Sequence, residues 1–234
     1  MIARKILTTL GALATLYVTT VMPARADETV DIGGSHAVLL KPKTPNASVI
    51  LMPGGNGAIN ARANGEIGGL AGNQLVRTRS AYASRGIAVL VVDADVNLAS
   101  AVQYMAAIKR PVTVIATSRG TLRAARGIAG GARPDALVLT SGFLTSESGS
   151  SENVQSILGS PALLPRTLII HHRQDSCRAT LPAGVDPFIR WAGGRARVAW
   201  LTGGTETGEA CEAFAHHGFN GIDGQVVGLA AAFH

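Results

Sequence analysis

Short apolar runs alternate with longer stretches rich in alanine and arginine along most of this chain. Several of the runs are continuously apolar instead of alternating in polarity, which is typical of strands buried on both faces of a parallel sheet. The predicted strands cover residues 37–40, 48–52, 88–92, 112–116, 136–140, 167–171 and 198–201.

The stretches between these runs have the composition of helices, and Pro111 ends the second of them. The predicted helices cover residues 73–85, 98–109, 119–128, 186–192 and 224–233. Alternation of strand and helix predicts an α/β fold with a doubly wound, mainly parallel sheet and helices on both faces. Ligands of such sheets bind at the carboxyl ends of the strands, so candidate chemistry should lie just after strands.

The first 26 residues have the three parts of a secretory signal peptide. A basic start is followed by an apolar run over residues 6–22 and by a small-x-small cleavage site at residues 24–26. We therefore expect cleavage before Asp27 and an exported protein, periplasmic or secreted, with one domain over residues 27–234 and no stable membrane partner. An uncleaved membrane anchor is the alternative for the apolar run.

Composition is consistent with one folded core. Of the 234 residues, 47% are hydrophobic and 15% are charged. The formal net charge is +6, but the predicted signal segment carries three of the basic residues and no acidic residue. The other basic residues are scattered, so we expect no nucleic-acid partner. The two cysteines, Cys177 and Cys211, are an even count that suits one disulfide in an exported protein.

The segment 111–125 places a serine between a β-branched strand and a helix. Its centre, Ala116-Thr117-Ser118-Arg119-Gly120, resembles the Gly-x-Ser-x-Gly nucleophile elbow of α/β-hydrolases, with alanine in place of the first glycine. The resemblance implies that Ser118 is a nucleophile held in a strained backbone between small residues. The alternative is that Ser118 only caps the helix that follows.

A glycine-rich loop, Pro53-Gly54-Gly55-Asn56-Gly57, directly follows the predicted strand 48–52. It lies upstream of Ser118, where α/β-hydrolases have their oxyanion loop, although many of them have histidine at the position of Pro53. The resemblance implies that the backbone amides of Gly55 and Arg119 stabilise a developing oxyanion. An ordinary glycine turn is the alternative.

Two later segments resemble the acid and base loops of the same family. Asp175 follows the predicted strand 167–171, and a His-Gly-Phe sequence at residues 217–219 follows the last predicted strand. The chain order Ser118, Asp175, His217 is the order of the α/β-hydrolase triad. In such a triad the imidazole accepts the serine proton, and the carboxylate orients the imidazole.

Other side chains compete for these roles. His216 is a rival base, and we prefer His217 because the glycine that follows it leaves room for the ring to turn inward. Glu147 and Glu152 lie after the preceding predicted strand and are alternative acids.

Metal binding is a weaker hypothesis. His171 and His172 lie near Asp175, but adjacent strand residues point to opposite faces, so we expect no metal site. Cys177 and Cys211 flank the predicted acid and base loops, so a bridge between them would tie the two loops together.

The resemblance to the α/β-hydrolase superfamily extends from about Ser48 to the C-terminus and is to a core like that of dienelactone hydrolases. It implies a serine hydrolase that cleaves carboxylic esters through an acyl-enzyme and needs no cofactor. The segment between residues 140 and 167 is short, so we expect a minimal lid and a site open to small soluble esters or the ends of polymers. Amide and lactone cleavage are equally compatible, and the oligomeric state is left open.

Two other classes of protein stay open at this point. The first is a non-catalytic ligand-binding protein on the same scaffold, in which Ala116 marks a relaxed elbow. The second is a structural or interaction protein of the cell envelope, which an uncleaved apolar N-terminus would favour.

Overall fold

The computed structural model describes residues 27–233, so the predicted signal segment lies outside the described residues. The described part contains one eight-stranded sheet. Its strands are β1 (Glu28–Ile32), β2 (Ser35–Leu40), β3 (Ala47–Met52), β4 (Ile87–Val92), β5 (Val112–Thr117), β6 (Ala136–Thr140), β7 (Arg166–His172) and β8 (Ala196–Leu201).

The strands lie in the order β1-β2-β4-β3-β5-β6-β7-β8. The pairs β1–β2 and β2–β4 are antiparallel, and every other neighbouring pair is parallel. Strands β3 to β6 are buried along their whole length, which explains why their sequences are continuously apolar. The predicted doubly wound, mainly parallel sheet is confirmed.

Helices cover both faces of the sheet, and each face has its own apolar cluster. One cluster includes the buried sides of α3 (Leu98–Ile108), α4 (Gly120–Ala129), α5 (Val154–Leu158) and α6 (Val185–Trp191). The other includes α1 (Gln74–Arg77), α2 (Arg79–Ala83) and α7 (Asp223–Ala231). Successive strand residues alternate between the two clusters, as Ile50 and Leu51 do in β3.

Some of the predicted elements differ from the structure. The single helix expected over residues 73–85 is wrong, because two short helices meet at Thr78, whose hydroxyl binds the Gln74 carbonyl oxygen at 2.6 Å. Strand β1 and helix α5 were not predicted, because both are short and neither has a long apolar run.

The segment between β6 and β7 contains only α5 and two short 3-10 helices, Ser146–Ser148 and Pro161–Leu163. This segment adds no separate lid domain between β6 and β7. Within residues 27–233, no helix is both long and apolar enough to cross a membrane.

Candidate active site

Ser118 lies in the sharp turn between β5 and α4. Its backbone has φ of +53°, an uncommon value for a residue with a side chain. Its amide donates to the Thr140 carbonyl at 3.0 Å, and its carbonyl accepts from the Thr121 hydroxyl at 2.6 Å. Helix α4 begins at Gly120 without a side-chain cap, so the structure does not support the alternative that Ser118 is a helix cap.

The neighbouring small residues are required by close packing around the turn. A Cβ atom at Gly54 would lie 2.8 Å from the Cβ of Ser118, and a Cβ atom at Gly120 would collide with the carbonyl of Met52. Ala116, where α/β-hydrolases have glycine, is fully buried in β5 between β3 and β6. The sheet therefore accommodates the extra methyl group.

The glycine-rich loop after β3 borders the same cavity as Ser118. Gly55 has φ of +58°, and neither its amide nor that of Arg119 donates a hydrogen bond within residues 27–233. The guanidinium of Arg123 donates to the Pro53 carbonyl and supports the start of the loop. Burial lowers the pKa of Arg123 from its usual value, but an arginine stays charged at neutral pH. Two residues with free backbone amides thus line the cavity that Ser118 lines.

Asp175 and His217 contact one another, and His217 lines the cavity. The Nδ1 atom of His217 lies 3.1 Å from Oδ2 of Asp175, and both residues are buried. The Thr180 hydroxyl lies 3.1 Å from the same carboxylate oxygen and 3.0 Å from Nδ1 of His217. The amide of Cys177 donates to the other carboxylate oxygen at 2.9 Å. These contacts orient the imidazole and leave its Nε2 as the nitrogen without a protein partner in the described part of the chain.

The backbone around His217 is anchored by residues from distant parts of the chain. The Ser141 hydroxyl, at the end of β6, donates to the His217 carbonyl at 2.7 Å. The Arg77 guanidinium donates to the carbonyls of Ala213 at 3.1 Å and Gly218 at 2.7 Å. The base loop, residues 211–219, is therefore held on both sides of its histidine.

The rival residues lie elsewhere. His216 stacks on His172 with the ring centroids 4.3 Å apart, and its Nε2 lies 3.7 Å from Glu206 rather than near Asp175. Glu147 and Glu152 are exposed, and Glu152 pairs with Arg126. Of the candidate acids and bases, only Asp175 and His217 contact one another.

The two histidines of β7 point to opposite sides, as the strand geometry predicts. His171 is fully buried, with its Nε2 3.6 Å from Oδ2 of Asp175, and burial lowers its pKa to about 4. His172 accepts from the Gln174 amide and donates to the Gly203 carbonyl, and burial lowers its pKa as well. Among residues 27–233, no three histidine, cysteine or acidic side chains are placed to hold a metal ion.

A cavity of about 850 Å³ joins these parts. Ser118, Gly55, Arg119 and His217 line it, and a disulfide between Cys177 and Cys211 forms part of its wall. The described residues contain no hydrogen bond between the Ser118 hydroxyl and His217. The structure thus brings the predicted acid and base into contact and places the predicted nucleophile in the same cavity.

Sequence reasoning missed Thr180, Ser141 and Arg77. Each contacts the acid, the base or the base loop, but each comes from another segment, and no local pattern marks it. The Asp175-x-Cys177 spacing was the one nearby signal, because the Cys177 amide binds the Asp175 carboxylate.

Solved structures share this architecture. An α/β serine hydrolase without a lid from Xanthomonas campestris has a TM-score of 0.59 and 12% identity, over 90% of this chain and 94% of that chain. A dienelactone hydrolase from Anabaena variabilis has a TM-score of 0.58 and 13% identity, over 88% of this chain and 94% of that chain. An esterase domain from Rhodothermus marinus has a TM-score of 0.57 and 14% identity, over 88% of this chain and 98% of that chain.

No protein-family model matches the sequence, and no curated protein matches it significantly. The similarity in structure shows that this chain has the α/β-hydrolase fold. Its structural neighbours are serine hydrolases and esterases.

Proposed function

We propose that this protein is a serine hydrolase that cleaves carboxylic esters, with Ser118 as nucleophile, His217 as general base and Asp175 as the acid that orients it. The observation that carries the proposal is the 3.1 Å contact between His217 Nδ1 and Asp175 Oδ2, beside a serine in a left-handed turn on the same cavity. The names of the structural neighbours, which include an esterase domain and a dienelactone hydrolase, agree with ester or lactone substrates.

The reaction begins when His217 Nε2 takes the proton of the Ser118 hydroxyl and Oγ attacks the acyl carbon of the ester. This step requires Ser118 and His217 to form a hydrogen bond once substrate is bound, and such contacts often tighten only in the substrate complex. Asp175 and Thr180 hold the Nδ1 side of the ring, which leaves Nε2 as the nitrogen that accepts the proton. The positive charge that develops on the imidazole is stabilised by the Asp175 carboxylate.

The tetrahedral intermediate carries its negative charge on the former carbonyl oxygen. The amides of Gly55 and Arg119 donate to this oxygen, and each properly aimed donor contributes on the order of a hundredfold in rate. Collapse of the intermediate breaks the ester bond, and the leaving alcohol takes the proton from His217. Water then attacks the acyl-enzyme while His217 accepts its proton, which releases the acid and restores Ser118.

The proposed reaction takes place in an exported protein. Both cysteines of the chain are joined in a disulfide, which agrees with an oxidising compartment. The short segment between β6 and β7 favours small esters or the accessible ends of polymers over a substrate that must be enclosed by a lid.

Covalent labelling tests the proposal. We expect a fluorophosphonate probe to modify Ser118 in the folded protein, with mass spectrometry locating the adduct, and the Ser118→Ala variant to lose both the label and ester hydrolysis. Ser150→Ala is the matched control, because Ser150 lines the same cavity and has no contact with His217. This control should keep the label and the activity.

Three other results would each contradict a different part of the proposal. Folded protein that takes no label and hydrolyses no ester would favour the non-catalytic binding protein on the same scaffold. Labelling on another residue would contradict Ser118 as nucleophile. A pH–rate profile without a limb that rises as a histidine loses its proton would contradict His217 as base.

A further inference from the structure

One polar side chain on the cavity wall has no partner. Gln74, at the start of α1, lines the cavity and is only 1% exposed. Neither Oε1 nor Nε2 of its amide makes a hydrogen bond within residues 27–233. The chain thus buries one donor group and one acceptor group beside the candidate nucleophile without satisfying either.

The preceding residue adds a second free donor on the same wall. Asn73 accepts from the Leu75 amide through Oδ1 at 3.1 Å, which leaves its Nδ2 facing away from that contact. A Cβ atom at Gly54 would lie 3.5 Å from Nδ2 of Asn73 and 2.8 Å from Cβ of Ser118. The Asn73 amide is therefore close to the serine, and its NH₂ group has no partner in the described part of the chain.

An unsatisfied buried amide destabilises a folded protein, because the group loses its hydrogen bonds to water and gains none in return. Buried polar groups in native proteins are paired in the large majority of cases. Tyr82, His171 and His216 also have buried polar atoms without a protein partner, but Gln74 is the one among these residues that lines the cavity, where a bound group can reach it. The terminal torsion of a glutamine is soft, so a small rotation can aim Oε1 and Nε2 at a bound group.

We propose that the amides of Asn73 and Gln74 form a polar subsite that binds a substrate group with an adjacent donor and acceptor, such as a primary carboxamide. The proposal rests on the proposed function, because the bound group is part of the ester that Ser118 attacks. A carboxamide satisfies both orphan atoms of Gln74. A carboxylate would accept from Nε2 of Gln74 and Nδ2 of Asn73 but would leave Oε1 of Gln74 without a donor, and an apolar group would pair with none of these atoms.

The first arm of the test measures stability without substrate and does not depend on catalysis. Gln74→Met removes the amide and keeps a side chain of similar length and flexibility. Because the amide has no partner in the free protein, we expect Tm to stay the same or to rise by about 2–4 °C. Gln225→Met on α7 is the matched control, because Gln225 is exposed. The Tm of this variant should equal that of the parent protein.

The second arm compares esters that differ in one group. The probes are p-nitrophenyl esters of increasing acyl length that end in a primary amide, each paired with the isostere that ends in an isopropyl group. We expect the parent protein to prefer the amide ester at one chain length. Gln74→Met should lower kcat/KM for that ester about tenfold relative to its isostere, mainly through KM, whereas the control Gln225→Met should keep the parent ratio between the two esters. Asn73→Ala serves as a second variant and should also lower kcat/KM selectively for the amide ester.

The outcomes separate this subsite from the proposed function. If the parent is labelled and hydrolyses the esters, but Gln74→Met affects amide and isopropyl esters equally at every length, the subsite proposal is overturned. If Gln74→Met lowers Tm by several degrees and changes no selectivity, the amide is satisfied by bound water and has only a structural role. If the parent hydrolyses no ester and takes no label, the proposed function itself fails.

Discussion

Asp175 illustrates how single residues of this site depend on one another. One of its carboxylate oxygens contacts His217 Nδ1, the Thr180 hydroxyl and, at 3.6 Å, the Nε2 atom of His171. The other oxygen accepts from the Cys177 amide. A carboxylate with this many donors is held in one orientation, so the imidazole that it contacts is held as well.

Protonation of His171 makes the unfolding free energy of the protein depend on pH. Its pKa is lowered to about 4 in the folded protein by burial, whereas an unfolded chain binds the proton near 6.5. The unfolded state therefore holds more protons between these values, and the stabilisation present above pH 6.5 is lost as pH falls toward 4. Below pH 4 both states are protonated, so the loss stops.

We expect this linkage to cost the parent protein roughly 2–3 kcal/mol of unfolding free energy between pH 7 and pH 4.5. The His171→Leu variant should lose less over the same range by about that amount, because it has no imidazole to titrate. Urea denaturation at the two pH values measures the difference. Equal losses in parent and variant would contradict a neutral, buried His171.

At the scale of elements, the base loop is fixed to α1 by one side chain, in addition to its hydrogen bonds to neighbouring residues such as Thr207. All five N–H groups of Arg77 are used: two pair with the Asp223 carboxylate, and the others bind the carbonyls of Gly72, Ala213 and Gly218. Phe214 lies over the guanidinium, 5.7 Å from ring centroid to carbon. One side chain thus joins α1, α7 and the loop that carries His217.

Replacing Arg77 with lysine keeps the charge but removes the planar fork. We expect Arg77→Lys to lower the unfolding free energy by about 2 kcal/mol and to lower kcat about tenfold or more with little change in KM, because His217 is displaced. Steady-state kinetics and urea denaturation check this.

The matched control is Arg79→Lys, since Arg79 binds Asp27 and the Val76 carbonyl and does not reach the base loop. If Arg77→Lys and Arg79→Lys affect kcat alike, the hydrogen bonds from Arg77 to the base loop do not position His217.

At the scale of the whole molecule, the central strands β3 to β6 were predictable because both of their faces are buried and their sequences are almost continuously apolar. Strand β1 was not, because it lies at the sheet edge and its sequence is mixed. The chain order of Ser118, Asp175 and His217 could be read from resemblance. Their supporting contacts could not, because the Thr180–His217 and Arg77–Gly218 contacts span 37 and 141 residues.

The disulfide joins the acid loop to the base loop across 34 residues. In the chain-entropy model a bridge of this span stabilises the fold by roughly 3 to 4 kcal/mol. Because the Cys177 amide also binds Asp175, we expect reduction to lower kcat/KM several-fold at a temperature where circular dichroism still shows folded protein.

The Cys177→Ala/Cys211→Ala variant should behave like the reduced protein and should not respond to reductant, which separates loss of the bridge from other effects of the reagent. Full turnover in reduced, folded protein would mean that the bridge only stabilises the fold.

The left-handed backbone at Ser118 means that the identity of this residue affects the stability of the turn. A side chain in that conformation costs about 1 kcal/mol relative to glycine, so the turn itself favours glycine. The Ser118→Gly variant would therefore lose the hydroxyl but gain folding stability. Serine at this position thus lowers stability relative to glycine, and the proposed nucleophile role would account for that cost.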